Sequence, residues 1–448
     1  MAQNLPGCAL AAALRHHLIF VAVNQIDSDS ACSLYNLAVR ILLLNLYYPP
    51  DTSATAKMAR TVVDALIRRH DVSVLCGRPS YDPTERRAWH WYQTEVAGQT
   101  RVIRTGSTDF ARFEMKKRVL NYLSYVALAV PRALFVPCDA VLAMTDPPFC
   151  GIAGAFVAML KGKPYVYNIR DMYPDMALGG SIVEPGLLAR IWEKMHRWAL
   201  RRATRVVVLG DDMRARIAAK GVEPFRIVIV RDGAEIFPTN TPLPASDPEV
   251  VRAIRGNFSF VLLHAGNLGF YGTWNTLVSA ARSLASDGVG LVFVGDGAQR
   301  AEVEASAAGA GNIRFLDFFP AAKIPSVLAA ADAHVITVKR GLEGVVVPSK
   351  MYGILAAGKP IVAVAPGETD VATLGMRRGF AVFADPDKPA DLVSAVRGLV
   401  GNAQKLKTMG EAARAAAPDY DRVGELQKFA EVFDQFEAAE SIKEDTPA

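Results

Sequence analysis

The chain has 448 residues, of which 51% are hydrophobic and 21% charged, and these proportions exclude widespread disorder. Because a single core usually stops growing near about 250 to 300 residues, the length predicts two α/β domains of about 200 residues each. The net charge of +5 is mild, and we expect no nucleic-acid partner. The five cysteines show neither a CxxC pair nor zinc-like spacing with the histidines, which argues against a disulfide framework and a structural metal site.

The first 38 residues do not resemble a domain element. They lack a basic segment before their apolar patch, and a polar stretch follows at 24–33. We therefore expect residues 1–38 to lie outside the fold. The first convincing strand begins at Val39, which is also a candidate translation start because a valine codon can serve as one.

From Val39 onward, short apolar runs alternate with longer helical patterns. Continuous apolar strands separated by helices are typical of parallel strands buried on both faces, which form a doubly wound sheet. The first series comprises strand 39–46, helix 54–69, strands 72–77 and 102–105, helix 112–130, strand 139–143, helix 149–160, strand 164–168, helix 186–203 and strand 205–209.

A second series of the same kind follows. It begins with strand 226–230 and continues after the stretch PTNTPLPASDP, the clearest composition shift in the middle of the chain. Its further elements are strand 259–265, helix 273–285, strand 290–294, helix 298–308, strand 312–315, helix 323–331, strand 333–338, helix 350–357, strand 360–364 and helix 389–401.

These patterns predict two Rossmann-like domains whose binding loops face each other, because ligands of open α/β sheets bind outside the carboxyl ends of the strands. The predicted division is an extension at 1–38, a first domain at 39–235, a linker at 236–247, a second domain at 248–414, a helical segment at 415–438 returning toward the first domain, and a tail at 439–448.

Basic residues concentrate in the first half of the chain. Lys116 and Lys117 are adjacent, and six arginines and lysines occur from Arg190 to Arg205. These segments are either solvated helix faces or surfaces that contact an anionic membrane. The sequence has no unbroken run of about 20 apolar residues, which predicts a soluble or peripheral protein.

The segment 347–363, VPSKMYGILAAGKPIVA, is a polar loop followed by an apolar helical run and a strand. The first N–H groups of such a helix can hold a phosphate, with Ser349 as a hydroxyl donor and Lys350 as a cation. The alternative is an ordinary N-terminal cap with a solvated lysine.

Glycine-rich strand ends, HAGNLG at 264–269 and VGDG at 294–297, add positions where a ligand could approach the backbone closely. The sequence contains neither the GxGxxG pattern at the expected spacing nor GxxxxGK[ST], which argues against NAD binding and ATP hydrolysis.

The motifs YPPDTSATAKMARTVVDAL, VLAMTDPP, VYNIRDMYPD, VVVLGDDM, IVIVRDGAE, HAGNLG, VGDG, NIRFLDF and PSKMYGILAAGKPIVA follow one another in this order. From Val39 to about Phe436 the chain resembles bacterial family 4 retaining glycosyltransferases of the GT-B fold, in particular polysaccharide and O-antigen enzymes with a PSK donor motif. The resemblance implies transfer of a sugar from a nucleoside-diphosphate sugar, UDP-linked rather than GDP-linked, with no cofactor and no bound metal.

The resemblance also implies roles for individual residues. Lys350 would hold the donor diphosphate, and Asp171 would lie near the transferred sugar or the acceptor hydroxyl. The implied donor-binding residues are Asn267, Gly269, Gly295, Phe315, Leu316, Glu343, Pro348, Ser349 and Gly353. On the acceptor or diphosphate side, the implied residues are Thr55, Ala56 and Arg170.

Several of these roles have structural alternatives. Asp171 could instead cap a helix or hold its loop, and Arg170 could be either the partner of Asp171 or a phosphate ligand. Asp146, in TDPP, most simply shapes a turn.

The chain departs from the family pattern at two places. The Arg and Lys that many members carry after the first strand of the second domain are absent, so Lys350 would carry more of the load, with Lys339 or Arg340 as a candidate helper. The glutamate pair spaced eight residues apart is also absent: Gly353 occupies the second position, and Glu343 lies two residues from the first.

The leading hypothesis is a glycosyltransferase that builds a lipid-linked surface polysaccharide at the inner face of the cytoplasmic membrane. The segments 110–125 and 191–205 would then rest on the bilayer as a peripheral contact. Two alternatives share the fold: a nucleotide-sugar epimerase, and a catalytically inactive nucleotide-sugar-binding partner of an assembly complex.

Overall fold

The computed structural model describes residues 38–79, 89–110, 115–180, 182–235 and 246–444. The predicted extension, apart from residue 38, and the predicted linker, apart from residues 246 and 247, lie outside these ranges, as does the end of the predicted tail.

The first sheet has eight strands in the order β3-β4-β2-β1-β5-β6-β7-β8. Its central strands are short apolar runs buried on both faces, and all strands are parallel except β3, which pairs antiparallel with β4. The strands are β1 Arg40–Leu44, β2 Asp71–Cys76, β3 Tyr92–Ala97, β4 Thr100–Thr105, β5 Ala140–Ala143, β6 Tyr165–Asn168, β7 Arg205–Val208 and β8 Ile227–Ile229.

Helices connect these strands and cover both faces of the first sheet. Among the helices in the described ranges, none combines the length and the apolar character that a membrane crossing requires. The helices of this half are α1 Ala54–Leu66, α2 Met115–Leu134, α3 Cys150–Lys161, α4 Asp175–Gly179, α5 Leu187–Arg202 and α6 Asp211–Ala219.

The second sheet has six parallel strands in the order β11-β10-β9-β12-β13-β14. The strands are β9 Phe260–Ala265, β10 Val289–Val294, β11 Ile313–Leu316, β12 Ala333–Thr337, β13 Ile361–Val364 and β14 Ala381–Ala384. The helices are α7 Pro248–Arg255, α8 Trp274–Ser283, α9 Arg300–Ser306, α10 Ile324–Ala329, α11 Lys350–Ala356, α12 Asp370–Arg378, α13 Pro389–Arg397 and α14 Ala403–Ala416.

The sequence assigned one strand to the wrong series. The strand predicted at 226–230 is β8, and it extends the first sheet by pairing with β7, Val206 opposite Ile227. The sequence analysis also missed β3, whose residues YQTEVA are half exposed at the sheet edge and therefore lack an apolar run. It missed α4, α6, α7, α12, α14 and β14 as well.

The last helix, α15 Arg422–Glu444, leaves the second half of the chain and packs against α1 of the first. Phe429 and Phe433 on α15 are buried in the same apolar cluster as Ile41 and Leu43 of β1. The chain thus crosses between its two halves a second time, which links the position of one sheet to the other.

Two helices also meet end to end between the halves. The Asp370 carboxylate at the start of α12 accepts hydrogen bonds from the backbone N–H groups of Asp211 and Asp212 at the start of α6, each at 3.1 Å. In return, the Asp212 carboxylate accepts from the Asp370 N–H at 3.1 Å. Each helix therefore supplies the N-terminal cap of the other. Burial and the charge of Asp370 raise the pKa of Asp212 to about 6.

We predict that Phe433→Ala lowers the free energy of unfolding of the first half by about 3 to 5 kcal/mol, because it removes a fully buried aromatic ring and leaves a cavity. Val423→Ala is the matched control, since Val423 lies on the same helix and is 62% exposed, and we expect it to change stability by less than about 0.5 kcal/mol. Urea denaturation measures both variants. Equal effects would contradict the docking of α15.

Candidate functional site

Loops that follow the carboxyl ends of strands from the two sheets contact each other. The loop after β6 touches the loop after β12, where the Met172 N–H donates to the Val345 carbonyl at 3.1 Å. The contact brings Asp171 and Lys350 to the same cleft, since each lies within five residues of it along the chain.

Lys350 is the first residue of α11, and its ammonium group turns toward β9. Its Nζ lies 3.1 Å from Nε2 of His264, a fully buried residue. Burial lowers the pKa of Lys350 to about 7 and holds the pKa of His264 well below its ordinary value. A neutral imidazole can accept a hydrogen bond from the ammonium, but it supplies no opposite charge, so the cation is poorly compensated and suited to an anion.

The helix-cap interpretation of this segment is wrong for the Ser349 side chain. Ser349 occupies the N-cap position, but its hydroxyl makes no capping hydrogen bond and the residue is exposed, while Pro348 is partly buried. Helix α11 has seven residues, so its dipole is short. The cation, rather than the helix end, is the main positive group here.

Two glycines form a tight backbone floor beside Lys350. Gly266 and Gly295, after β9 and β10, have φ angles of 140° and 137°, which side chains rarely adopt. A Cβ atom on Gly266 would lie 3.1 Å from Lys350 Nζ, and one on Gly295 would lie 2.2 Å from the Gly266 carbonyl oxygen. Side chains at either position would fill the space next to the ammonium.

Asn267 and Gly269 continue this floor. Asn267 is exposed, and its amide lies 3.0 Å from the position of a Cβ on Gly269. The Asn267 carbonyl accepts a hydrogen bond from the Tyr271 hydroxyl at 2.5 Å. Tyr271 thereby closes the loop 266–271.

Asp171, after β6, faces this loop from the first half of the chain. Burial and the neighbouring carboxylate of Asp146 raise the pKa of Asp171 to about 6, while the Arg170 guanidinium acts in the opposite direction. The charge of Asp171 also helps to raise the pKa of Tyr271. The carboxylate therefore interacts across the cleft with the loop beside Lys350, and it loses its proton close to neutral pH.

Arg170 is not the close partner of Asp171. Its guanidinium donates to the carboxylate of Asp232, which follows β8. Of the two interpretations of Arg170, the structure therefore shows a structural ion pair, but with a different acid.

Thr55 and Ala56 lie in the first turn of α1. The Ala56 N–H donates to the Ser53 hydroxyl at 3.0 Å, and its side chain is buried. This amide is therefore occupied by an ordinary cap and not directed at a diphosphate. Thr55 is partly buried in the first turn of α1, and its place on the acceptor or diphosphate side stays a prediction.

Phe315 and Leu316 form the end of the edge strand β11. The Phe315 ring stacks on Phe293 with centroids 4.9 Å apart, and the Leu316 carbonyl accepts from the Gly295 N–H at 2.9 Å. Their side chains and this carbonyl serve the fold, so contact with a base would fall to the remaining backbone groups of the strand, as the sequence predicts.

Glu343 is held within its own loop. Its carboxylate accepts from the Gly341 N–H at 2.9 Å, and its carbonyl accepts from Arg216 of the first half at 3.0 Å.

Gly353 occupies the position of the second glutamate of the family pattern. The nearest neighbour of a Cβ atom on Gly353 would be Leu328 at 3.5 Å, an ordinary contact distance, so backbone crowding does not explain this glycine.

Arg340 does not assist Lys350. Its guanidinium is engaged by Asp385 at 2.9 Å and Asp387 at 2.6 Å. Lys339 is exposed beside it and makes no ion pair among the described residues. The structure thus excludes Arg340 as a helper of Lys350 and leaves Lys339 as the candidate.

Sequence reasoning missed three contributors to the site: His264, Tyr271 and the effect of Asp146 on Asp171. His264 could have been found, because it lies near the end of the predicted strand 259–265, two residues before Gly266. The other two depend on contacts between segments far apart in the chain, for which a single sequence carries no signal.

Two family models match the chain. One is described as a glycosyl transferase 4-like domain and matches residues 53–233, and the other is described as glycosyl transferases group 1 and matches residues 255–416. Together they cover more than half of the 448 residues.

Curated relatives agree with these matches. WcaI of Escherichia coli K12, named for colanic acid biosynthesis, is 25% identical over 380 residues, which are 80% of this chain and 91% of WcaI. WbjE of Pseudomonas aeruginosa, named as a glycosyltransferase, is 25% identical over 299 residues, covering 65% of this chain and 73% of WbjE.

Solved structures show the same fold. The Anabaena protein HepE, crystallised with UDP, aligns with a TM-score of 0.60 at 17% sequence identity, covering 90% of this chain and 100% of HepE. The predicted fold class, two doubly wound parallel-sheet domains in the GT-B arrangement, is confirmed. The chain belongs to the glycosyltransferases with the GT-B fold, those that combine a glycosyl transferase 4-like domain with a group 1 domain.

Proposed function

We propose that the protein transfers a sugar from a UDP-linked donor, with retention, to a lipid-linked acceptor during the synthesis of a bacterial surface polysaccharide. The observation that carries the proposal is the partly buried Lys350 ammonium, which lies beside the neutral His264 ring and the glycine floor, in the segment that follows β12 and contacts the loop of Asp171. The name of WcaI supports the polysaccharide context, and the UDP complex of HepE supports the choice of nucleotide.

The donor diphosphate would lie against Lys350 and the glycine floor. A phosphate there supplies the negative charge that the buried ammonium lacks, and Gly266 and Gly295 let it approach the backbone. The same cation would stabilise the departing UDP, whose charge develops in the transition state. We propose that this cation makes a bound metal unnecessary, and that no other cofactor takes part.

Asp171 would act at the other end of the transferred sugar. With a pKa of about 6, the carboxyl is mostly ionised at neutral pH, yet it can take up a proton. It would orient the acceptor hydroxyl and accept its proton as the new glycosidic bond forms. Thr55, at the start of α1, is the proposed neighbour on the acceptor side.

We also propose that the protein is cytoplasmic and contacts the inner face of the membrane. Helix α5 begins with Leu187 and Leu188, which are 73% and 80% exposed, and it carries the basic residues that follow. Apolar side chains beside cations suit an anionic bilayer surface. Flotation with anionic vesicles tests this contact, and protein that stays wholly in the soluble fraction would refute it.

The Lys350 side chain provides a test of donor binding. Lys350→Ala should weaken UDP binding about 10- to 150-fold, because a hydrogen bond to a charged group contributes about 1.5 to 3 kcal/mol. The thermal shift that UDP produces in the parent protein would shrink accordingly. Lys407→Ala is the control, since Lys407 is exposed on α14, and it should respond to UDP as the parent does.

The same site predicts a pH dependence. Binding needs the protonated ammonium, whose pKa in the free protein is about 7, so UDP affinity should fall toward tenfold per pH unit above pH 7. Titration calorimetry between pH 7 and 8.5 measures the slope. A parent protein with flat affinity over this range, or a Lys350→Ala variant with the parental slope, would contradict the phosphate assignment.

The Asp171 carboxylate provides a test of the transfer step. The transfer rate should fall as pH drops through about 6, because the raised pKa leaves the carboxyl protonated and inactive below that value. Asp146→Asn removes a charge that raises this pKa and should move the midpoint to lower pH. Asp171→Asn should reduce transfer by about 10²- to 10⁴-fold and abolish the acidic limb.

Labelled UDP-sugars incubated with the protein and a membrane extract provide the measurement. Label in the lipid fraction supports the proposal. Conversion of the free nucleotide sugar without transfer would instead identify an epimerase, and UDP binding without either reaction would identify an inactive partner. A midpoint unchanged by Asp146→Asn would show that another group sets the acidic limb.

A further inference from the structure

A large apolar cavity lies in the first half of the chain, between α2, α3 and α5. Its volume is about 1350 Å³, which exceeds the range of about 300 to 1,000 Å³ typical of sites for small molecules. The described residues that line it include two charged side chains, Arg118 and Lys194, and no carboxylate. Its chemistry therefore suits a long apolar occupant with a negative group.

The walls of the cavity are exposed as well as apolar. Leu123 on α2, Phe156 on α3 and Leu188 on α5 are 52%, 41% and 80% exposed. Contiguous exposed apolar surface of this size on a soluble protein marks a binding site. The segments 110–125 and 191–205, predicted to face a membrane, supply two of the three walls.

One end of the cavity reaches the loop after β6, which contains Asp171. Tyr173, two residues after Asp171, lines the cavity and stacks on Trp192 of α5 with ring centroids 5.8 Å apart. Burial and then the charge of Asp171 raise the pKa of the Tyr173 hydroxyl. Tyr173 therefore lines the cavity and lies within electrostatic range of the Asp171 carboxylate.

The Arg118 side chain places a cation at the same end of the cavity. Arg118 lines the cavity, donates a hydrogen bond to the Tyr122 hydroxyl, and lies close enough to Tyr173 that its charge opposes the rise in the tyrosine pKa. The second cation, Lys194, is exposed at the α5 wall. An anionic head group would thus be held beside the catalytic loop, with its chain extending away along the cavity.

We propose that this cavity binds the hydrocarbon chain of the acceptor itself, a long-chain lipid phosphate or diphosphate. The phosphate would pair with Arg118, and the sugar attached to it would extend past Tyr173 to Asp171. The inference rests on the proposed transfer to a lipid-linked acceptor. It adds the site that selects this acceptor, because a water-soluble sugar would leave the cavity empty and Arg118 without an anion.

Tryptophan fluorescence offers a direct test. Trp192 and Trp198 line the cavity, so a dodecyl phosphate with bromine near the end of its chain should quench them on binding, at concentrations below micelle formation. The double variant Trp192→Phe with Trp198→Phe should lose most of the quenching. Quenching that persists in this variant would place the lipid elsewhere and overturn the proposal.

Two further variants separate the chain from the head group in calorimetry with unlabelled dodecyl phosphate. Ala127→Trp fills the cavity from the exposed α2 wall and should weaken binding at least tenfold, whereas Ala219→Trp, at an exposed position on α6 outside the cavity, should not. Arg118→Gln should weaken binding of dodecyl phosphate about tenfold but leave binding of dodecyltrimethylammonium unchanged. Equal affinity of the parent protein for both amphiphiles would overturn the phosphate assignment.

The thermal shift with UDP keeps this inference distinct from the proposed function. Each cavity variant should retain the parental UDP shift, which also shows that it is folded. A parent protein that responds to UDP but does not bind dodecyl phosphate would refute the lipid site and leave donor binding intact. Stoichiometric binding of an apolar peptide, with no binding of dodecyl phosphate, would identify the cavity as a protein interface instead.

Discussion

The mutual capping of α6 and α12 is the constraint on which the geometry of the cleft depends. Each helix begins at the boundary between the two halves of the chain, and its first N–H groups are satisfied by a carboxylate from the other half. Separating the two halves would break these three hydrogen bonds and replace them with hydrogen bonds to water. The capped pair therefore favours the arrangement in which the loop of Asp171 contacts the loop after β12. The pair also brings two carboxylates together, and burial with this repulsion raises the pKa of Asp212. Part of the interaction energy of the capped pair is thus offset by the repulsion between like charges.

Within the cleft, the main electrostatic feature is the burial of single charged groups. Among the residues that the structure describes, Lys350 forms no ion pair with a carboxylate, and its close polar contact is the neutral ring of His264. An ammonium in such a setting is destabilised relative to water, and an arriving phosphate removes that penalty. This arrangement explains how one lysine could replace the two cations that are absent after β9. A cation that is already paired with an acid would have to break that interaction before it could bind a phosphate. Arg170, paired with Asp232, and Arg340, paired with Asp385, are such cations.

Much of the fold could be predicted from the sequence, because buried parallel strands are continuous apolar runs, and RILLL and VGLVFV leave little ambiguity. The edge strand β3 escaped detection because water satisfies one side of it and its composition is correspondingly polar. For the site, Lys350 could be proposed from its place at the start of a helix, and Asp171 from the resemblance of VYNIRDMYPD to a motif of the family. The partners of Arg170 and Glu343, and the cap that occupies Ala56, could not be assigned in this way, since they depend on which loops meet after folding.

The two central groups of the cleft are shifted in opposite directions by one cause. Burial favours the neutral form of any ionisable group, so it raises the pKa of Asp171 to about 6 and lowers that of Lys350 to about 7. In the free protein both groups are mostly charged only in the narrow interval between these values. A bound diphosphate would raise the pKa of Lys350 and extend the upper limit of this interval, while Asp171, acting at the other end of the donor, would keep its own limit near 6. Donor binding would therefore complete the charge arrangement that transfer requires, and a cleft without donor would hold its acceptor next to a lysine that is only partly protonated.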